Sequence, residues 1–266
     1  MKLLVLLILI FSHETVFNQP EIIAHRGASA DAPENTIAAF RKAVELGADY
    51  IEIDLRQSKD GELIVIHDGS VDRTTNGNGD VDELTFSELR KFDAGSWFDK
   101  KLNSEKIPSL QEVISLLGDS VQIIIEFKES NDSHPGFEEK VISLIKKNNL
   151  EQQTILKSFD PNVLERLRKR APEIPLCYVY ALRLPWLGLI IDTGISFGST
   201  FDFDVEYLQP HRFFLSESFV KKAQSKGYKV IAWGVNSESA IREAIEFGVD
   251  GIETDHVERV RRLVEE

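Results

Sequence analysis

The sequence predicts a TIM-like (β/α)8 barrel with a small insertion after the third strand. Three observations lead there. Short apolar, strand-like runs alternate with helix-spaced segments from residue 21 to the end. The strand-like runs number eight, centred near residues 22, 51, 65, 124, 156, 178, 199 and 232. The length of 266 residues, 42% of them hydrophobic, fits one barrel-sized domain with a large core.

Taken in order, Glu21–His25 reads as a buried strand that stops at His25-Arg26-Gly27. A helix follows, with Asn35 as its expected N-cap, Ile37, Phe40 and Val44 on one face, and Gly47 at its end. Asp49–Leu55 alternates, Lys59-Asp60-Gly61-Glu62 is a turn, and Leu63–His67 is the third strand. Residues 69–108 break the rhythm and read as an insertion, a lid or small subdomain beside the strand ends. Strands are then expected at Val121–Lys128, Thr154–Ser158, Leu176–Tyr180, Ile195–Phe203 and Lys229–Val235. Helices are expected at Phe137–Asn148, Pro161–Arg170, Ser216–Lys226, Ser237–Phe247 and Val257–Val264, with a short strand-like piece at Gly251-Ile252-Glu253. Residues 181–194 are unusually apolar. They read as a covering helix or as a patch that contacts a membrane or partner.

Residues 1–20 stand apart. Lys2 precedes the unbroken apolar run Leu3–Phe11, too short to span a bilayer and suited to a signal-like or tethering segment. The expected location is therefore exported or membrane-associated. An apolar arm packed on the domain is the alternative, with a cytoplasmic location. The single cysteine, Cys177, excludes an intrachain disulfide and reads as a buried core thiol. Acidic residues outnumber basic ones by 44 to 31, giving a net charge of −13, and no basic stripe suggests a nucleic-acid partner.

The residues that can carry chemistry gather at strand ends. Glu52 and Asp54 share one strand face, opposite Ile51, Ile53 and Leu55, so both acids point into the barrel. Glu126 and Lys128 repeat the pattern on the fourth strand. Carboxylates crowded in a barrel interior repel unless a cation joins them. Three inward acids make a hard-oxygen site for one divalent cation, Mg²⁺ or Ca²⁺, while an acid network neutralised by Lys128 and Arg56 is the competing arrangement. His25 shares a face with Ile23, and His67 with Leu63 and Val65, both inward at strand tops. Two imidazoles beside a metal site can act as general base and general acid. Arg26 can fork onto a phosphate, with Lys128 adding a point charge. Asp68 and Glu34 can support these groups from behind or stand as ordinary turn and helix-start acids. Lys157 and Trp233 lie near strand ends, and Trp233 either walls a pocket or fills the core.

These residues fall in stretches that together resemble the glycerophosphodiester phosphodiesterase family. The matching stretches are AHRGASADAPENT (24–36), GADYIEIDLRQSKDGELIVIHD (47–68), RTTNGNGDV (73–81), DAGSWF (93–98), IPSLQEV (107–113), IIEFK (124–128), KSFDP (157–161), VIAWGVN (230–236) and GVDGIETD (248–255). The resemblance implies a divalent metal on Glu52, Asp54 and Glu126, and acid–base roles for His25 and His67. It implies phosphate contacts from Arg26 and Lys128, and places Trp233 near the glycerol moiety. The implied substrates are small glycerophosphodiesters such as glycerophosphocholine, cleaved to glycerol 3-phosphate and an alcohol, by way of a cyclic phosphate that water opens or by direct attack of water. A lysophospholipase D on the same barrel is the nearest alternative. A non-catalytic binding protein is remote, because no metal or histidine position is missing. Two residues depart from the pattern: Glu253 stands where an apolar residue is expected, and His256 where proline is common. Neither is expected to touch the metal or histidine positions.

Overall fold

A computed structural model describes residues 19–180 and 201–266. The strands are β1 (Glu21–Ala24), β2 (Tyr50–Gln57), β3 (Leu63–Val65), β4 (Gln122–Phe127), β5 (Thr154–Ser158), β6 (Leu176–Tyr180), β7 (Tyr207–Pro210), β8 (Lys229–Ala232) and β9 (Gly251–Thr254). The helices are α1 (Ile37–Glu45), α2 (Phe86–Leu89), α3 (Leu110–Leu117), α4 (Phe137–Lys147), α5 (Pro161–Arg170), α6 (Glu217–Ser225), α7 (Glu238–Glu246) and α8 (Val257–Glu265). Strands β2, β4, β5, β6, β7, β8, β9 and β1 pair in parallel in that order, and β1 returns to β2. The result is a closed eight-stranded (β/α)8 barrel, as the alternation predicts.

Two members of the barrel differ from the expected eight. The third expected strand, β3, pairs antiparallel with β2, Leu55 opposite Val65, and is a hairpin on the barrel's flank. Only residues 58–62 join the two strands, far too few for a parallel crossover. Leu63 and Val65 accordingly pack in the outer core between barrel and helices, not in the interior. The missing barrel member is β9, the short piece at Gly251, which pairs with both β8 and β1. Between β6 and β8 the barrel member is β7 at Tyr207–Pro210; of the strand expected at 195–203, residues 201–203 are not strand and 195–200 lie outside the described residues. Residues 1–18 and the apolar stretch 181–194 also lie outside them. Among the described residues no helix is long and apolar enough to cross a membrane.

The helix starts follow their side chains. Thr36, not Asn35, caps α1 and accepts from Ala39 N. Asn35 sits one residue earlier in a left-handed conformation (φ 56°), and its amide turns inward to the site. Ser109 and Glu112 close a capping box on α3, and Asp160 caps α5 ahead of Pro161. Each helix but α2 buries one apolar stripe in the outer core, for example Ala39, Phe40 and Ala43 of α1. Between β3 and α3, Val71, Val81, Leu89, Ala94 and Ile107 pack with Ile64 and Ile66 into a satellite core of their own.

Inside the barrel, side chains stack in layers contributed by alternate strands. Ile23, Tyr50, Ile124, Ile155, Cys177, Tyr207 and Ile231 fill the lower interior. Gly251 belongs there too: a Cβ on it would stand 2.8 Å from Ile23 Cδ1. Cys177 is fully buried, as expected, and burial pushes its thiol pKa up.

Candidate active site

Two residues further along each strand, the layers become polar. β2, β5, β7 and β9 supply Glu52, Lys157, Gln209 and Glu253, all buried. Above them β1 ends at His25, β4 brings Glu126, and β2 adds Asp54, in register with Glu126. The strands open here into a cleft of about 570 Å³ lined by His25, Arg26, His67, Glu126, Lys128 and Trp233, among others. The structure therefore brings together the residues that the sequence singles out, with Glu52 and Asp54 fully buried beside Glu126.

Glu52, Asp54 and Glu126 each offer an oxygen within 4.8 Å of the others. Their remaining contacts fix them. Glu52 Oε2 accepts from Arg26 N at 3.0 Å, and Asp54 Oδ2 accepts from Asn35 Nδ2 at 2.8 Å. Lys157 Nζ stands 2.9 Å from Glu52 Oε1 and 3.1 Å from Glu126 Oε2. Lys128 Nζ contacts Asp54 Oδ1 at 3.2 Å and donates to Glu126 Oε1. Glu52 Oε1 and Asp54 Oδ1 nevertheless receive no aligned hydrogen bond, so their lone pairs are buried and only loosely matched by ammonium groups. Burial raises the Glu52 pKa, with Lys157 working against it. Burial would raise Asp54 too, but Lys128 and Arg26 reverse this and hold it well below the usual carboxylate range. Three buried hard oxygens, two of them under-bonded, fit a divalent cation such as Mg²⁺ or Ca²⁺.

Each histidine is anchored through one ring nitrogen by a carboxylate. His25 Nδ1 lies 2.7 Å from Asp255 Oδ1, which also accepts from Ser29 Oγ at 3.0 Å. Asp255 Oδ2 accepts from Asn236 Nδ2 at 2.6 Å. His67 Nδ1 lies 2.6 Å from Asp68 Oδ1. Both rings line the cleft, and Nε2 is left for it. Their surroundings pull the two pKa values apart. Burial disfavours the His25 cation, yet the Asp255 hydrogen bond and the Glu52 charge more than reverse this, and its pKa is raised. Burial lowers the His67 pKa; Asp54 and Asp68 oppose this, but Lys128 and Arg26 reinforce it.

Arg26 is held in a left-handed turn (φ 57°), followed by Gly27 at φ 81°. A Cβ on Gly27 would stand 2.8 Å from Ala39 backbone and side-chain atoms, so glycine is required where this turn meets α1. The Arg26 guanidinium reaches Glu34 at 2.8 Å and Asp54 at 3.2 Å. Glu34 and Asp68 are joined through Arg73, which donates to Glu34 from Nη1 and Nη2 at 2.8 Å each and to Asp68 from Nε at 2.5 Å. Trp233 is a wall of the cleft, half-buried and edge-on to Phe159 and His211. Its buried Nε1 has no acceptor among the described residues.

Asp255, Arg73 and Asn236 have no role legible in the sequence, Asn35 holds Asp54 rather than capping a helix, and Glu253 lies closer to the acids than expected. Glu253 Oε2 lies 2.9 Å from Lys157 Nζ, and Lys157 touches two of the three acids, so Glu253 is joined to the metal positions. The signal for Asp255 is available in the topology: a strand at Gly251 that closes the barrel against β1 sets Thr254 opposite Ala24, and hence Asp255 beside His25.

The chain matches the glycerophosphoryl diester phosphodiesterase family over residues 25–259. It is 41% identical over 246 residues to a glycerophosphodiester phosphodiesterase of Caldanaerobacter subterraneus, covering 91% of this chain and 97% of that one. It is 34% identical over 248 residues to a glycerophosphodiester phosphodiesterase of Bacillus subtilis, covering 88% and 83%. Among solved structures, an Oleispira antarctica phosphodiesterase in complex with the product sn-glycerol-3-phosphate superposes with a TM-score of 0.78 at 29% identity, over 93% of this chain and 98% of that one. A glycerophosphodiester phosphodiesterase from Agrobacterium tumefaciens gives a TM-score of 0.75 at 28% identity, over 91% and 99%. Sequence and fold agree, and the chain belongs to the glycerophosphoryl diester phosphodiesterase family.

Proposed function

We propose that this enzyme hydrolyses glycerophosphodiesters to glycerol 3-phosphate and an alcohol, using one divalent cation and the His25–His67 pair. The observation that carries this reading is the pair of imidazoles, each tied through Nδ1 to a carboxylate and both lining a cleft that Glu126, one of three clustered acids, also lines. Glu52, Asp54 and Glu126 would hold the cation. When bound, it supplies Lewis-acid stabilisation of charge on the phosphate and on the attacking oxygen. Lys128 and Arg26, both in the cleft wall, meet the phosphate oxygens. The neutral imidazole takes the proton of the attacking glycerol hydroxyl at Nε2 and the protonated one gives its proton to the leaving alcohol oxygen; water then opens the resulting cyclic phosphate with the two roles exchanged, giving glycerol 3-phosphate. The opposite pKa directions support His67 as the first base and His25 as the first acid. Trp233, a wall of the cleft, would pack its ring against the glycerol end of the substrate.

The substrate class rests on the family, and its Oleispira antarctica relative holds sn-glycerol-3-phosphate as product. The test is glycerol 3-phosphate release from glycerophosphocholine, with and without EDTA. Turnover is expected to stop in EDTA and to return with Mg²⁺ or Ca²⁺; unchanged turnover in EDTA refutes the metal assignment. Turnover of lysophosphatidylcholine with none of glycerophosphocholine would move the enzyme to the lysophospholipase D reading. We also place the enzyme outside the cytoplasm or at the membrane, on the apolar run Leu3–Phe11 that follows Lys2. Recovery of the full-length chain wholly in the soluble cytoplasmic fraction would refute that placement.

A further inference from the structure

The chemistry above makes no use of Glu253, although it is 3% exposed and sits on the innermost polar layer. Its Oε2 stands 2.9 Å from Lys157 Nζ and accepts from Gln209 Nε2 at 2.8 Å. Lys157 Nζ has three N–H groups and faces three carboxylates, at 2.9 Å to Glu253, 2.9 Å to Glu52 and 3.1 Å to Glu126. Two of those three are the acids read above as metal ligands, and the inference rests on that reading. A buried ammonium this close competes with a divalent cation for the same oxygen lone pairs. Arg26 and Lys128 already contact the triad from the cleft side. With Lys157 they set three cations against Glu52, Asp54 and Glu126, Arg26 being shared with Glu34, and leave little net charge to attract a metal ion. Glu253 makes it four carboxylates against three cations.

We propose that Glu253 is a positioning residue for the metal centre. It holds Lys157 in the polar layer as a shared ammonium, so that Lys157 orients the Glu52 and Glu126 carboxylates without neutralising them. Gln209 braces Glu253 by donating to Oε2, the same oxygen that Lys157 meets. The pair explains the departure in the sequence: with an apolar residue at position 253, a lysine at 157 would discharge itself wholly onto the metal ligands.

The test measures Mn²⁺ binding to the metal-stripped, full-length protein by isothermal titration calorimetry, with thermal melts in EDTA to verify folding. Glu253→Gln keeps the shape and removes the charge. It is expected to raise the Mn²⁺ Kd about 10- to 100-fold, the usual effect of losing a group that supports metal ligands. The double variant Glu253→Gln/Lys157→Met removes the competing cation as well and is expected to return the Kd to within about threefold of wild type, because the two sites are coupled. A wild-type Kd in Glu253→Gln overturns the proposal, as does a double variant no tighter than the single one. If Glu253→Gln does not fold, Lys157→Met decides: Mn²⁺ affinity at least equal to wild type supports the proposal and weaker binding overturns it. Wild-type protein that takes up no Mn²⁺ would overturn the metal reading and this proposal together, whereas normal wild-type binding with an unaffected Glu253→Gln overturns only this one.

Discussion

Replacing Asp255 with asparagine isolates the support behind one histidine. Asp255 receives three donors: His25 Nδ1 and Ser29 Oγ on Oδ1, and Asn236 Nδ2 on Oδ2. An amide offers one oxygen and one NH₂ where the carboxylate offers two acceptors. Asn236 is unable to flip to receive the new NH₂, because its Oδ1 already accepts from Thr254 Oγ1 at 3.0 Å and Asp255 N at 2.9 Å. The variant must therefore either face the Asn236 amide donor-to-donor or turn its NH₂ toward His25. The first leaves a half-buried donor unmatched; the second favours the tautomer with the proton on Nε2. Losing the charge also removes the contact that raises the His25 pKa against burial. A hydrogen bond to a charged group contributes about 1.5–3 kcal/mol. If all of it acts on the step that uses protonated His25, the loss in kcat is about 10- to 150-fold at 1.36 kcal/mol per factor of ten. The assay is steady-state release of glycerol 3-phosphate at saturating metal, with ¹H–¹⁵N imidazole titration of the metal-free variant beside it. A lower His25 pKa with kcat within about threefold of wild type would refute the reasoning, since the shift would then be present without kinetic consequence.

Other predictions follow from the same geometry. His25→Ala and His67→Ala are each expected to lower kcat by about 10²- to 10⁴-fold with the fold intact by circular dichroism; a variant above a tenth of wild-type rate would remove that histidine from the mechanism. In EDTA, imidazole titration by NMR is expected to place His25 above and His67 below the usual 6.5, and the reverse order would refute the assignment of first acid and first base. Asp68 is held at about 2: burial works against this, but Arg73 and His67 outweigh it. A depressed carboxylate stabilises the fold above its unfolded value and loses that contribution as pH falls through its folded value, so the window lies between about pH 4 and pH 2. Urea midpoints measured down that range are expected to fall more steeply for wild type than for Asp68→Asn, and parallel curves would count against the Asp68–Arg73 contact. His25 has the opposite sign: its contribution to stability is complete below its unfolded value near 6.5 and is lost as pH rises through its higher folded value.

The parts of this site that are legible in the sequence lie within one element. Glu52 and Asp54 share a strand, and alternation alone sets both inward, as it does Glu126. His25 follows from the parity of Ile23 for the same reason. His67 reaches the cleft by another route than the one expected. Its parity with Leu63 and Val65 does not govern it, because β3 ends at Val65 and the hairpin's return, not a barrel strand, delivers the ring. What is not legible depends on closure. Asp255 meets His25 across 230 residues, and Glu253 meets Lys157 across 96, both because β9 completes the barrel. Four residues with a glutamate among them give a weak strand signal, so the element that brings in both carboxylates is the one hardest to see. Asn35 shows the same limit at short range. Cap preference fits Asn and Thr alike, and only the position of Asp54 shows why the asparagine turns inward and the threonine caps.

The two histidines are anchored by different parts of the molecule, and one chain of ion pairs joins the anchors. His25 is set by barrel closure, through Asp255 and the β1–β9 register. His67 is set by Asp68, at the entrance to the satellite core, and Asp68 is held by Arg73 within that insertion. Arg73 passes to Glu34, Glu34 to Arg26, and Arg26 to the buried Asp54. The insertion is therefore coupled to the carboxylate triad through charged groups, in addition to its own apolar packing. The acid–base pair proposed here needs its two members at a fixed separation across the phosphorus, and neither the hairpin nor the barrel alone sets that separation. The Asp68–Arg73–Glu34–Arg26 chain does so by tying the hairpin's return to the turn that carries Arg26, one residue from His25. That is the physical reason for a glutamate at position 34: it accepts from both arginines at 2.8 Å, and without it the two cations would repel across the mouth of the site.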